Sequence, residues 1–128
     1  MATEKYTKNF SVAEFASKDG RDVDARMSPH FMEKLQDLRE QFRHPININS
    51  GIRSKEHNKA CGGSKNSRHL TRPCIAADID TSKWRGNKLH KFLRLAFELG
   101  FTGIGIDGSF VHLDTRKSQN NAAVAWTY

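Results

Sequence analysis

The sequence predicts an α+β domain, a small antiparallel sheet with helices packed on it, and three observations predict it. Two stretches carry apolar residues at helical spacing: Phe31, Leu35, Leu38 and Phe42 in one, and Leu89, Phe92, Leu93, Ala96 and Phe97 in the other. Two short runs, "CIAADID" and "TGIGIDGSFVHLDTR", alternate as strands do. Helical segments come first, and strands mixed with one long helix come after, an order that fits an antiparallel α+β arrangement.

Each element has its own signal. In "NFSVAEF", Ser11 and Glu14 form a capping box and Phe10 with Phe15 a hydrophobic staple, so a helix is expected to start there. The helix "MSPHFMEKLQDLREQF" has Ser28 as cap and Pro29 in its first position, and Pro45 breaks the chain after it. A short strand with Ile46 and Ile48 on one side follows, then a short helix in "SKEHNKACGG" closed by Gly62 and Gly63. In "CIAADID", Ala77 and Ile79 should face one way and Ala76, Asp78 and Asp80 the other. Asn87 is the expected cap of the last helix and Gly100 its left-handed stop. Asp107-Gly108 between two apolar runs predicts a type I′ hairpin. On its returning strand Phe110, His112 and Asp114 share a face. The tail ends in Trp126 and Tyr128, placed either against the body or along a groove.

Size and composition narrow the function. The 128 residues suit one domain over residues 1–128, and 37% hydrophobic with 27% charged residues implies a well-solvated surface. No run of roughly 18 apolar residues occurs, so no spanning helix is expected. "MATEKYTKNF" lacks the apolar stretch of a secretory signal. The net charge of +7 favours anionic partners, whether nucleic acid, anionic lipid or acidic wall polymers. The basic residues are scattered, and no stripe of interleaved aromatic and basic residues argues for a nucleic-acid binder. Cys61 and Cys74 make no disulfide framework; free thiols or a local bridge are the expected states.

One constellation carries chemistry. His69 lies in the polar loop "GGSKNSRHLTRPC", Asp78 on the strand that follows, and His112 on a distant strand. A catalytic zinc site uses three nitrogen or oxygen ligands and leaves one position for water, which these three residues would supply. Taken singly, each has an ordinary reading: a surface histidine, a strand-end carboxylate, a cross-strand partner.

The blocks "SGIRSKEHNKACGGSKNSRHL", "AADI" and "GIGIDGSFVHLDTR" closely resemble the zinc D-Ala-D-Ala peptidase family, over about residues 28–116. That family includes D-Ala-D-Ala carboxypeptidases, vancomycin-resistance dipeptidases, L-alanyl-D-glutamate endopeptidases of phage endolysins and murein endopeptidases. Its fold is shared with the hedgehog signalling domain. The resemblance implies one Zn2+ held by His69, Asp78 and His112. It implies Arg53 as the arginine that meets the substrate, Ser67 as a serine near metal and substrate, and Asp114 as a carboxylate supporting the last histidine. A carboxylate shortly before that histidine serves as acid or base, and Asp107 is the nearest, although Ser109 occupies the usual position. The spacing from His69 to Asp78 exceeds the family's by about two residues around "RPC", so either the loop bulges or Asp80 or Cys74 substitutes as ligand; Asp78 is preferred because "AADI" matches the family's strand. The implied activity is hydrolysis of a peptidoglycan stem-peptide bond involving a D-amino acid. An endolysin-type, monomeric enzyme is expected, made in a bacterial host cytoplasm and acting on the wall after release. A non-catalytic zinc-binding module is the alternative.

Overall fold

The computed structural model describes residues 4–117 and 122–128. The chain opens with a two-stranded ribbon, β1 (Lys5–Thr7) and β2 (Phe10–Ser11), followed by a single 3-10 turn over Ala13–Phe15. The capping box forms: Ser11 N donates to Glu14 Oε1 at 2.8 Å, and Glu14 N to Ser11 Oγ at 3.3 Å. The staple forms as well, with Phe10 and Phe15 rings edge to face at 5.8 Å. The expected helix stops after that turn. Asp19 accepts from Ser17 Oγ and Arg21 N, so short polar side chains claim the backbone locally where a second apolar turn would be needed.

Helix α1 (Pro29–Phe42) begins as the sequence predicts, Ser28 Oγ accepting from Phe31 N with Pro29 in the first turn, and it ends at Arg43 with φ 64°. Phe31, Leu35, Leu38 and Phe42 are all fully buried. Each such burial contributes about 1.5–3 kcal/mol. Strand β3 (Ile48–Ser50) is followed by the short α2 (Lys55–Ala60), capped by Ser54 and left through Gly62 at φ +72°. A 3-10 turn at Arg68–Leu70 leads into β4 (Ala76–Asp80). Helix α3 (Gly86–Glu98) departs from expectation at its start. Arg85 takes the cap position without a side-chain bond, and Asn87 lies inside the first turn. Its buried face is Phe92, Leu95 and Ala96; Leu95 fills the place expected of Phe97, which is 53% exposed.

Strands β5 (Gly103–Ile106) and β6 (Phe110–Asp114) form the expected hairpin, but not through a type I′ turn. Neither Asp107 nor Gly108 takes positive φ. Asp107 Oδ2 instead accepts from Ser109 N at 3.0 Å and Ser109 Oγ at 2.9 Å, which closes the turn from the side chain. The main sheet runs β3-β4-β6-β5-β7, and its first four strands are antiparallel. The fifth, β7 (Val124–Thr127), joins β5 in parallel, an addition the alternation pattern did not predict.

The sheet's two faces divide the labour. Ala77, Ile79, Ile104, Val111 and Leu113 form one core with α1 and α3. In the opposite parity, register aligns Ser50, Asp78, His112, Gly105 and Trp126 in one row across all five strands. Period-two alternation therefore sets the core and the polar row on opposite faces of the same backbone.

Candidate metal centre

Three side chains converge on that polar row. One ligand atom from each of His69, Asp78 and His112 lies within 4.8 Å of the others, and all three residues are buried. Asp78 and His112 are direct cross-strand neighbours on β4 and β6. His69 arrives from the 3-10 turn, whose backbone is held by Ser67 Oγ accepting from His69 N at 3.3 Å and by Arg53 N donating to His69 O at 3.1 Å.

The hydrogen bonds around the rings fix which nitrogen faces the centre. His69 Nδ1 lies 2.6 Å from the Gly51 carbonyl, which only accepts, so Nδ1 carries the hydrogen and Nε2 is left toward Asp78 Oδ1 at 3.2 Å. His112 Nε2 lies 2.7 Å from Asp114 Oδ2, so it donates there and Nδ1 faces Asp78 Oδ1 at 3.0 Å. Three acceptors thus point at one another: two bare imidazole nitrogens and a carboxylate oxygen. Such a cluster calls for a cation or an added proton at its centre, and its donor set suits a divalent metal of zinc's type.

The electrostatics favour positive charge at this cluster. Burial alone would raise Asp78, but hydrogen bonds with His112 and His69, and their charges, outweigh it and hold the carboxyl well below its usual range. Burial would likewise lower His112, yet its hydrogen bonds to Asp114 and Asp78 raise it. For Asp114 the upward push of burial is overcome by hydrogen bonds from His112 and Arg116.

The other expected site residues fall into two groups. Arg53 is at the centre: its Nη2 donates to Asp78 Oδ2 at 2.9 Å, its Nε to Ser50 Oγ at 3.1 Å and its Nη1 to Asn58 Oδ1 at 3.3 Å. Asp114 stands behind His112, fully buried and bonded by Arg116 through N, Nε and Nη2. Ser67 lines the open cavity of about 530 Å3 above the cluster. Asp107 is not brought there; its carboxylate is engaged by Ser109 in the hairpin turn, and Asp78 is the cavity's lining carboxylate. Asp80 and Cys74 are not in the cluster either: Asp80 bonds Ser82, and the buried Cys74 thiol lies against backbone carbonyls. Both cysteines are free, Cys61 exposed and Cys74 buried. The longer stretch before Asp78, which includes a cis Arg72–Pro73 bond, still brings Asp78 into the cluster that could hold a metal ion.

Sequence reasoning missed Arg116 and Phe110 as site residues and left Trp126 open between the body and a groove, where it lines the cavity. Arg116 had a signal, since an arginine two residues after Asp114 shares its strand face. The choice for Trp126 could not be made from sequence, because its place depends on the parallel pairing of β7 with β5.

An α+β fold with a carboxylate and two imidazoles clustered beneath an open cavity defines a class of proteins able to hold a divalent metal ion at an accessible site. The Peptidase M15 family model matches residues 7–114, and the chain belongs to that family, the zinc D-Ala-D-Ala peptidases. No curated protein matches the chain. The family makes this chain a metallopeptidase of zinc-dependent type, with a centre able to hold a metal ion in His69, Asp78 and His112. No helix among the described residues is long and apolar enough to cross a membrane.

Proposed function

We propose that residues 1–128 act as one zinc-dependent peptidoglycan peptidase domain that hydrolyses a stem-peptide bond involving a D-amino acid, in the manner of an endolysin-type lytic enzyme. The observation that carries this reading is the convergence of His69 Nε2, Asp78 Oδ1 and His112 Nδ1, each backed by its own partner, at the floor of a cavity. One zinc ion held there would polarise a substrate carbonyl and lower the pKa of a coordinated water toward about 7.

The chain's own residues then divide the remaining work. Gly51 O and Asp114 orient the two imidazoles, and the Asp114–Arg116 pair holds His112 from behind. Arg53, cationic and beside Asp78 with its side chain 15% exposed, is positioned to meet a substrate oxygen. A donor so placed contributes about 3–4 kcal/mol when it meets developing negative charge. Ser67 lines the same cavity. Asp107, engaged by Ser109 outside the cavity, would act as acid or base only after its turn opens, and the Asp107→Asn variant decides that role. The basic balance of +7 suits an anionic wall as the surface on which the protein works, as a monomer and after release from the cell that makes it.

A second reading has an observation of its own. Asp78 is the carboxylate that lines the cavity, which favours a zinc-binding module that holds wall peptides without cutting them. Digestion of defined muropeptides by zinc-loaded protein, read by mass spectrometry, separates the two. New amino termini with loss of the parent mass support the peptidase; binding of the muropeptide with its mass unchanged supports the module.

A further inference from the structure

The family match ends at Asp114, and the strand beyond it reaches back to the metal centre. Gly105 pairs with His112 on one side and with Trp126 on the other. Because Gly105 has no side chain, the Trp126 ring lies across it and meets His112 with ring centroids 5.3 Å apart. A methyl at Gly105 would stand 2.7 Å from that ring, so the glycine is what lets Trp126 reach the centre. The Arg116 guanidinium lies over the Trp126 ring, 4.8 Å from its centroid. Tyr128, two residues on and of the same parity, extends the pairing through its N–H to Ile106 O at 3.3 Å and sets its ring 5.0 Å from Phe110.

Folding alone does not explain this arrangement. Tyr128 remains 65% exposed while lining the cavity, so its ring is not buried for stability. Facing the same cavity is Arg68, whose guanidinium donates to the Asn66 carbonyl and has no carboxylate partner among the described residues. The cavity therefore has a cationic lip, an aromatic wall and the metal cluster as its floor.

Building on the peptidase reading, we propose that β7 supplies the substrate-binding wall. Tyr128 with Phe110 takes the apolar side-chain face of the peptide, and Arg68 takes a carboxylate of the same peptide. Trp126 is a positioning residue that fixes His112 and Arg116. The ligand so described is a short peptide with an apolar face and a free carboxylate, lying along the groove.

The test uses the full zinc-loaded chain and one defined muropeptide, comparing the parent with Tyr128→Ala, Tyr128→Phe and Arg68→Gln. Tyr128→Ala should raise KM about tenfold, the scale of one lost aromatic contact, with kcat, zinc affinity and Tm unchanged. Tyr128→Phe should restore KM, because the ring and not the hydroxyl makes the contact. Arg68→Gln should weaken the muropeptide but not its carboxyl-amidated form. An unchanged KM in Tyr128→Ala, or a loss carried by kcat or by zinc affinity, overturns the proposal. If the parent cuts nothing, the peptidase reading fails on its own, and calorimetric binding of the same muropeptide still decides the wall: the same tenfold loss supports it, and equal affinity overturns it.

Discussion

Replacing Asp114 with asparagine probes the support behind the metal centre while keeping the side chain's volume. The two carboxylate oxygens accept from opposite sides: Oδ2 from His112 Nε2 at 2.7 Å and Arg116 Nη2 at 2.7 Å, Oδ1 from Arg116 N and Nε at 3.0 Å each. An amide has one acceptor oxygen, so either orientation turns its NH2 toward a donor. If the oxygen faces His112, the amide hydrogens meet Arg116; if it is flipped, they meet the His112 N–H. The lost charge-assisted bond is worth about 1.5–3 kcal/mol. Of that, the share felt by the metal is the change in basicity and orientation of His112, which for such partners lowers metal affinity about 10- to 100-fold. Competition for zinc against a chromophoric chelator measures this directly. A zinc affinity within twofold of the parent, in a variant whose circular dichroism is native, would refute the claim that Asp114 orients His112.

Further outcomes follow from other residues. Asp107→Asn should leave turnover within about twofold, since an engaged turn carboxylate away from the cavity behaves as a surface site; loss of turnover with zinc retained would instead assign the proton transfer to Asp107. A thiol reagent at pH 8 should label Cys61 quickly and Cys74 only after unfolding, because burial raises the Cys74 thiol to about 11. A raised pKa gives stability that is complete below the unfolded value near 9 and is lost as pH rises through about 11. Chemical denaturation from pH 8 to 11 should show that loss in the parent and a smaller one in Cys74→Ala. Gly105→Ala should lower stability by about 1–3 kcal/mol through overpacking against Trp126, with a red shift in tryptophan emission; an unshifted spectrum and Tm would contradict the close approach of that ring.

What could be read from the chain alone followed the range over which each signal acts. The α1 stripe, its Ser28 and Pro29 start, and the parity of Ala77 and Ile79 against Asp78 are local or periodic, and the structure keeps them. The cluster of His69, Asp78 and His112 was legible because each residue sits at a recognisable place in a motif, even with the longer approach through "RPC". The capping box of Ser11 and Glu14 was read correctly as a bond and as a helix start, but the helix ends after one 3-10 turn, since Asp19 and its neighbours compete for the backbone beyond. The Asp107-Gly108 pair predicts a hairpin but not its turn type, which the Ser109 side chain decides. The parallel seating of β7 depends on pairing across the sheet, and so Trp126 and Tyr128 could be placed only once the register was known.

An anomalous-difference map at the zinc edge, from crystals grown with one equivalent of zinc, tests the centre most directly. The expected map has one strong peak about 2.0–2.2 Å from His69 Nε2, Asp78 Oδ1 and His112 Nδ1. A peak elsewhere, at the His57–Cys61 pair for example, or no ordered zinc at these three atoms, would contradict it.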